Sequence, residues 1–173
     1  PEALPASPLA RAAIAEWEAW GRIVIIGFPD APPADSAATP ERFGRLLDYW
    51  GTVPGGGRIA TRLLGLRSGV TAMSERITAE AAGDDGSDSP PSNVPPRPED
   101  ISLYDYPAWS AAFISTVARR AGVPESDLPS SSRHARYIDA MLRRAITDPQ
   151  YAAFTPHAPE EQAPVPGDLL CAD

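Results

Sequence analysis

One stretch limits the fold of the whole chain more than any other: residues 83–100, which read GDDGSDSPPSNVPPRPED. It holds five prolines and five acidic residues, and Val94 is its one large apolar side chain. Such a composition cannot bury enough apolar surface to offset the entropy that ordering would cost. We therefore expect a mobile loop or linker here. It would separate an N-terminal helical part, residues 1–82, from a core at residues 101–173.

Helix signals lie on both sides of this linker. Ser-Pro at 7–8 and Thr-Pro at 39–40 each place a capping hydroxyl before a proline, as is typical of a helix N-terminus. Beyond the linker, the pattern predicts helices over about 110–121 and 131–146. The apolar run at 22–28 is read as either a short buried strand or a helix extension. Three tryptophans at helical spacing are expected in the core: Trp17, Trp20 and Trp50.

Composition and residue spacing disfavour several kinds of partner and ligand. The net charge of −8 and pI near 4.7 disfavour a nucleic-acid partner. No apolar run reaches the roughly 18–20 residues of a membrane span. The two histidines lack metal-ligand spacing and no stretch fits a phosphate loop, so we expect no metal and no cofactor. The lone Cys171 is expected to be an inert thiol packed on an apolar strand.

The segment YPAWSAAFIS, residues 106–115, places Ser110 at the start of an apolar helix. The first N–H groups of a helix are unpaired and favour negative charge, so they can stabilise the oxyanion of acyl transfer. A serine at this position needs a general base to become a nucleophile. Serine is also a common helix cap. Both interpretations of Ser110, a cap and a nucleophile, stay open.

Three segments carry a resemblance to a known family: PAWSAAFISTVARRAGV (107–123), SSRHARYIDAM (131–141) and PVPGDLLCAD (164–173). Their order and spacing resemble the bacterial domain-of-unknown-function 2272 family, apart from the insert at 83–100. That family is similar to the NlpC-type and CHAP-type peptidoglycan hydrolases, in which a cysteine begins a helix packed on a small antiparallel sheet. The resemblance implies a papain-like α+β fold, mostly helical in this segment, with Asp168–Ala172 in the first strand.

Candidate site residues come from the resemblance and from the residues themselves. The resemblance puts Ser110 at the nucleophile position and implies a histidine base that follows Asp173. His134, on the next predicted helix, is a second candidate for the base, and a capping or partly buried histidine is its alternative role. Tyr137 shares a helix face with His134 at i, i+3 spacing, in reach of a substrate. Three further residues are candidates for substrate binding, and a core or surface role is the alternative for each: Trp109, Asp105 and Asp168.

These observations lead to one hypothesis and its alternatives. We expect a peptidoglycan amidase or endopeptidase that acts by acyl transfer on a peptidoglycan or peptide ligand and is exported to the periplasm or secreted. One alternative is a catalytically inactive binding or interaction module on the same scaffold. Another is a fragment whose partner is its own missing C-terminal segment.

Overall fold

The computed structural model describes residues 7–22, 24, 39–83, 108–158 and 160–171. Within them the chain divides into two compact units. The first contains α1, residues 52–54, α4, α5 and the C-terminal segment. The second contains most of α2, all of α3 and Trp109. The described helices are α1 (Pro8–Ala19), α2 (Pro40–Thr52), α3 (Gly56–Gly83), α4 (Ser110–Arg120) and α5 (His134–Thr147).

The first two helices begin as their capping signals predict. The Ser7 hydroxyl accepts a hydrogen bond from the Ala10 N–H at 3.1 Å, and Pro8 occupies the first helical turn. The Thr39 hydroxyl accepts from the Arg42 N–H at 3.3 Å. Each cap satisfies a donor that the helix itself leaves unpaired, so these local predictions are confirmed.

The start of α5 differs from the prediction. The helix begins at His134, three residues after the expected Ser131. The Ser131 hydroxyl donates to the Arg133 carbonyl at 3.0 Å and accepts from the Arg133 N–H at 3.0 Å. These local bonds compete with the helical pattern and delay its start.

Helix α4 is the centre of the first unit. Its buried Ala111 and Ala118 pack with Leu128 and Tyr137, and α1 lies against α4. The surrounding partly buried side chains come from α1, α4, α5 and the loops: Leu9, Ile114, Val123, Ile138, Met141, Phe154 and Leu169. The small alanines let neighbouring elements approach α4 closely on its buried side.

The predicted papain-like α+β fold is wrong for the described residues, which contain helices and no strand. The core beside α4 is filled by helices and loops. The expected strand at 168–172 instead follows a turn in which the Asp168 N–H donates to the Val165 carbonyl at 3.0 Å. Gly167, at a φ of +112°, lies so close to Ser7 that a Cβ would overlap it. An extended segment needs a paired neighbour to form a sheet, and the described residues offer none.

Two core predictions are wrong as well. Trp20 and Trp50 are buried as expected, but Trp17 is 43% exposed. The buried face of α1 carries Glu16, whose carboxylate pairs with Arg120 of α4. This ion pair lies on the side of α1 where an apolar contact was expected. Cys171 is exposed, since no strand forms to pack it.

Some predictions fall outside the described residues, namely the apolar run at 25–28 and the linker at 84–100. No helix in the described part of the chain has the length and apolarity needed to cross a bilayer.

Candidate functional site

Ser110 and His134 lie together in the first unit, each as the first residue of its helix. The Ser110 Oγ is 2.7 Å from the His134 Nε2. Both residues are exposed, so a solute can reach the pair. The two residues are 24 positions apart, and the connection at 121–133 brings the N-terminus of α5 back to that of α4. The arrangement places a potential nucleophile beside a potential base, within the reach that proton transfer requires.

The other ring nitrogen of His134 also has a partner. Its Nδ1 forms a short hydrogen bond with the Tyr137 hydroxyl, one helical turn further along α5. The two rings meet edge-to-face, with centroids 5.6 Å apart and planes at 80°. Tyr137 is 4% exposed and belongs to the core cluster, so it holds the imidazole from a rigid position. The result is a chain of contacts from Ser110 through His134 to Tyr137.

Burial raises the pKa of Tyr137 to about 12, and the neighbouring charge of Cys171 contributes in the same direction. The phenol therefore stays neutral near pH 7. For Nε2 to take a proton from Ser110, Nδ1 must carry the ring proton and donate it to the Tyr137 oxygen. Tyr137 can select this tautomer, but unlike a carboxylate it cannot neutralise an imidazolium.

The raised pKa of Tyr137 predicts an alkaline loss of stability. Between pH 10 and about 12 the unfolded chain releases this phenolic proton and the folded chain retains it, so the free energy of unfolding falls as pH rises. The stabilisation is complete below pH 10 and lost by about pH 12. Urea unfolding of the wild type and Tyr137→Phe should give a difference in stability that shrinks across this interval. A difference that is constant from pH 9 to 12 contradicts the prediction.

The first turns of α4 and α5 add a favourable field for negative charge. The N–H groups at the start of a helix lack intrahelical acceptors and form the positive end of its dipole. Such groups can stabilise an oxyanion that develops next to Ser110. The first turns of the two helices therefore favour the anionic side of an acyl-transfer transition state.

Two of the remaining predicted site residues have contacts of their own among the described residues. Trp109 belongs to the second unit, where its ring stacks on buried Tyr49 at a centroid distance of 5.7 Å. The Asp168 carboxylate accepts from the Val165 N–H at 2.8 Å and so closes its own exposed turn. Asp105 lies outside the described residues. Roles for these three residues in substrate binding stay predictions.

Two serines near the pair were not singled out from the sequence. Ser115 is fully buried in α4, and its hydroxyl bonds to the backbone of Ser131, just before α5. The sequence does indicate a role for Ser115, because it lies on the same side of a predicted helix as Ala111 and Ala118. A polar residue at such a position requires a partner. In the described part of the chain, no three His, Cys, Asp or Glu residues are grouped so as to hold a metal ion.

Comparison with known proteins finds one family. The family described as "Uncharacterized protein conserved in bacteria (DUF2272)" matches residues 73–173, which include Ser110, His134 and Tyr137. No curated protein and no solved structure gives a significant match to the chain.

Proposed function

The chain belongs to the DUF2272 family of uncharacterized bacterial proteins, and we propose that it is a serine hydrolase in which Ser110 is the nucleophile and His134 the general base. The observation that carries the proposal is the 2.7 Å contact between the Ser110 Oγ and the His134 Nε2. A nucleophile within hydrogen-bond reach of a base, which is itself oriented by a third group, is the arrangement that covalent catalysis needs. Tyr137 is the third group here.

The proposed reaction has two halves. Ser110 loses its proton to His134 Nε2 and its oxygen attacks the acyl carbon, so an O–C bond forms and the carbonyl oxygen becomes an oxyanion. The oxyanion collapses, the bond to the leaving nitrogen breaks, and His134 returns the proton to that nitrogen. Water then attacks the acyl-serine with His134 as base, which releases a carboxylic acid and restores Ser110.

The proposed substrate is an amide in the stem peptides of peptidoglycan. The support is the resemblance of residues 107–123 to the segment that carries the nucleophile in NlpC-type and CHAP-type hydrolases, with Ser110 at the position of their cysteine. The papain-like sheet forms no part of the proposal. A peptidoglycan substrate would place the protein in the periplasm or outside the cell, which fractionation of the source cells with an antibody would test.

A second candidate is a binding module that holds a peptide or glycan without cleaving it. The observation that favours it is the Tyr137 phenol at Nδ1, because a neutral partner stabilises an imidazolium poorly. Both candidates use the same exposed surface. They differ in whether Ser110 ever forms a covalent bond.

A fluorophosphonate probe tests the hydrolase directly, because it phosphonylates only an activated serine. We expect the full chain to gain one phosphonyl group, located at Ser110 by peptide mass spectrometry. Ser110→Ala should abolish labelling, and Ser132→Ala, which changes another exposed serine beside α5, should leave it unchanged. The wild type should also release soluble peptides from purified peptidoglycan, and Ser110→Ala should not. Binding of peptidoglycan without labelling or release, equal in both proteins, overturns the hydrolase in favour of the binding module.

A further inference from the structure

A buried hydroxyl ties the two helices of the candidate site together. Ser115 is completely buried, and its Oγ lies 2.8 Å from the Ala111 carbonyl and 3.1 Å from the Ser131 carbonyl. The same oxygen accepts the Ser131 N–H at 3.0 Å. A single side chain therefore satisfies backbone groups on α4 and on the segment that leads into α5.

The two backbone segments that Ser115 connects lie next to Ser110 and His134. Ala111 follows Ser110 directly, and Ser131 precedes His134 by three residues. The Ser131 hydroxyl in turn bonds both backbone groups of Arg133, the residue before His134. Continuous hydrogen bonds thus run from the backbone beside Ser110 to the backbone beside His134.

The rest of the connection between α4 and α5 is held by other groups. The Glu125 carboxylate accepts from the Ser130 N–H at 2.8 Å and from its hydroxyl at 2.6 Å. The Arg119 guanidinium donates to the Leu128 carbonyl at 2.5 Å. These bonds order the loop itself. The hydrogen bonds of Ser115 instead reach Ser131, just before His134.

We propose that Ser115 is a positioning residue that holds His134 within proton-transfer distance of Ser110. The effect of Ser115 on catalysis rests on the proposed function. Its effect on the distance between His134 and Ser110 can be measured without turnover. Ser115 is 0% exposed, and loss of its hydroxyl leaves two backbone groups of Ser131 without that partner in a buried position. The start of α5 then shifts, and small displacements of a base are costly for catalysis.

The test compares Ser115→Ala with two further variants in the full chain. We expect Ser115→Ala to lower the rate of phosphonylation of Ser110 by about ten- to a hundredfold. We also expect it to remove the nuclear Overhauser effect between the His134 ring protons and the Ser110 β protons. Ser115→Thr retains the hydroxyl and should restore both readouts in large part.

Thr116→Val is the matched control. Thr116 is also buried in α4, and its hydroxyl lies 2.9 Å from the Ala112 carbonyl and 3.0 Å from the Thr52 hydroxyl. Among the described residues, these contacts join α4 to Thr52 and not to α5. Replacement of Thr116 should therefore lower stability without changing the phosphonylation rate or the Overhauser effect. Equal effects of Ser115→Ala and Thr116→Val on both readouts would overturn the proposal.

The Overhauser effect separates failure of the positioning from failure of the proposed function. Suppose that wild-type Ser110 is not phosphonylated, but the Overhauser effect is present and only Ser115→Ala removes it. The positioning role of Ser115 then stands and the proposed hydrolase function is wrong. If phosphonylation is present and Ser115→Ala changes neither readout, the hydrolase stands and the positioning is wrong.

Discussion

Replacement of His134 with alanine is expected to slow phosphonylation of Ser110 by about 10²–10⁴-fold, the usual contribution of a positioned general base. The Ser110 hydroxyl cannot ionise near pH 7 through the helix field alone, so removal of Nε2 at 2.7 Å removes the route for its proton. The rate should be measured from the loss of free Ser110 by intact-protein mass spectrometry.

His157→Ala is the control for His134→Ala. His157 is the only other histidine and is exposed in a loop of the same unit, so its loss should leave the rate unchanged. Added imidazole should restore part of the rate to His134→Ala, since the deleted ring leaves an exposed site. A His134→Ala variant that reacts as fast as the wild type would show that His134 only caps or packs beside Ser110.

The second large effect is expected on stability. The Glu16 carboxylate of α1 is 3% exposed and forms an ion pair with Arg120 of α4. Arg120→Met leaves this carboxylate buried without that partner, which typically costs about 3 kcal/mol. Urea unfolding followed by far-ultraviolet circular dichroism should report the loss of stability.

The exposed ion pair at the C-terminal end of α1 is the control for this effect. Glu18 and Arg22 are 46% and 65% exposed, and Glu18→Gln should cost about 0.5 kcal/mol or less. The double variant Glu16→Gln with Arg120→Met should be more stable than Arg120→Met alone, because no charge is then left buried. If Arg120→Met and Glu18→Gln have equal effects, the buried pair contributes no more than a surface pair.

The wrong prediction of a sheet has two sources: the turn and short apolar run at 166–172, and the resemblance to hydrolases that carry a sheet. Residues 164–173 resemble the family, which is similar to more distant hydrolases that carry a sheet. The family itself is shown, but the described residues pack α4 among α1, α5 and loops instead. A strand depends on a pairing partner elsewhere in the chain, so an apolar segment after a turn cannot establish it.

The candidate site was predicted in part. The position of Ser110 at a helix start and the i, i+3 relation of His134 and Tyr137 follow from local sequence. The sequence does not decide whether His134 or a histidine beyond Asp173 is the base, because spacing along the chain does not show which residues meet in space. The contact of 2.7 Å depends on how the connection at 121–133 folds back.

The sequence by itself determined the features that act over a few residues. The caps at Ser7 and Thr39 are examples, since their hydrogen bonds join neighbours on the chain. Only the tertiary structure decided that Glu16 is buried and that His134 reaches Ser110. Both depend on which helix faces meet, and that is set by packing among residues far apart in the sequence.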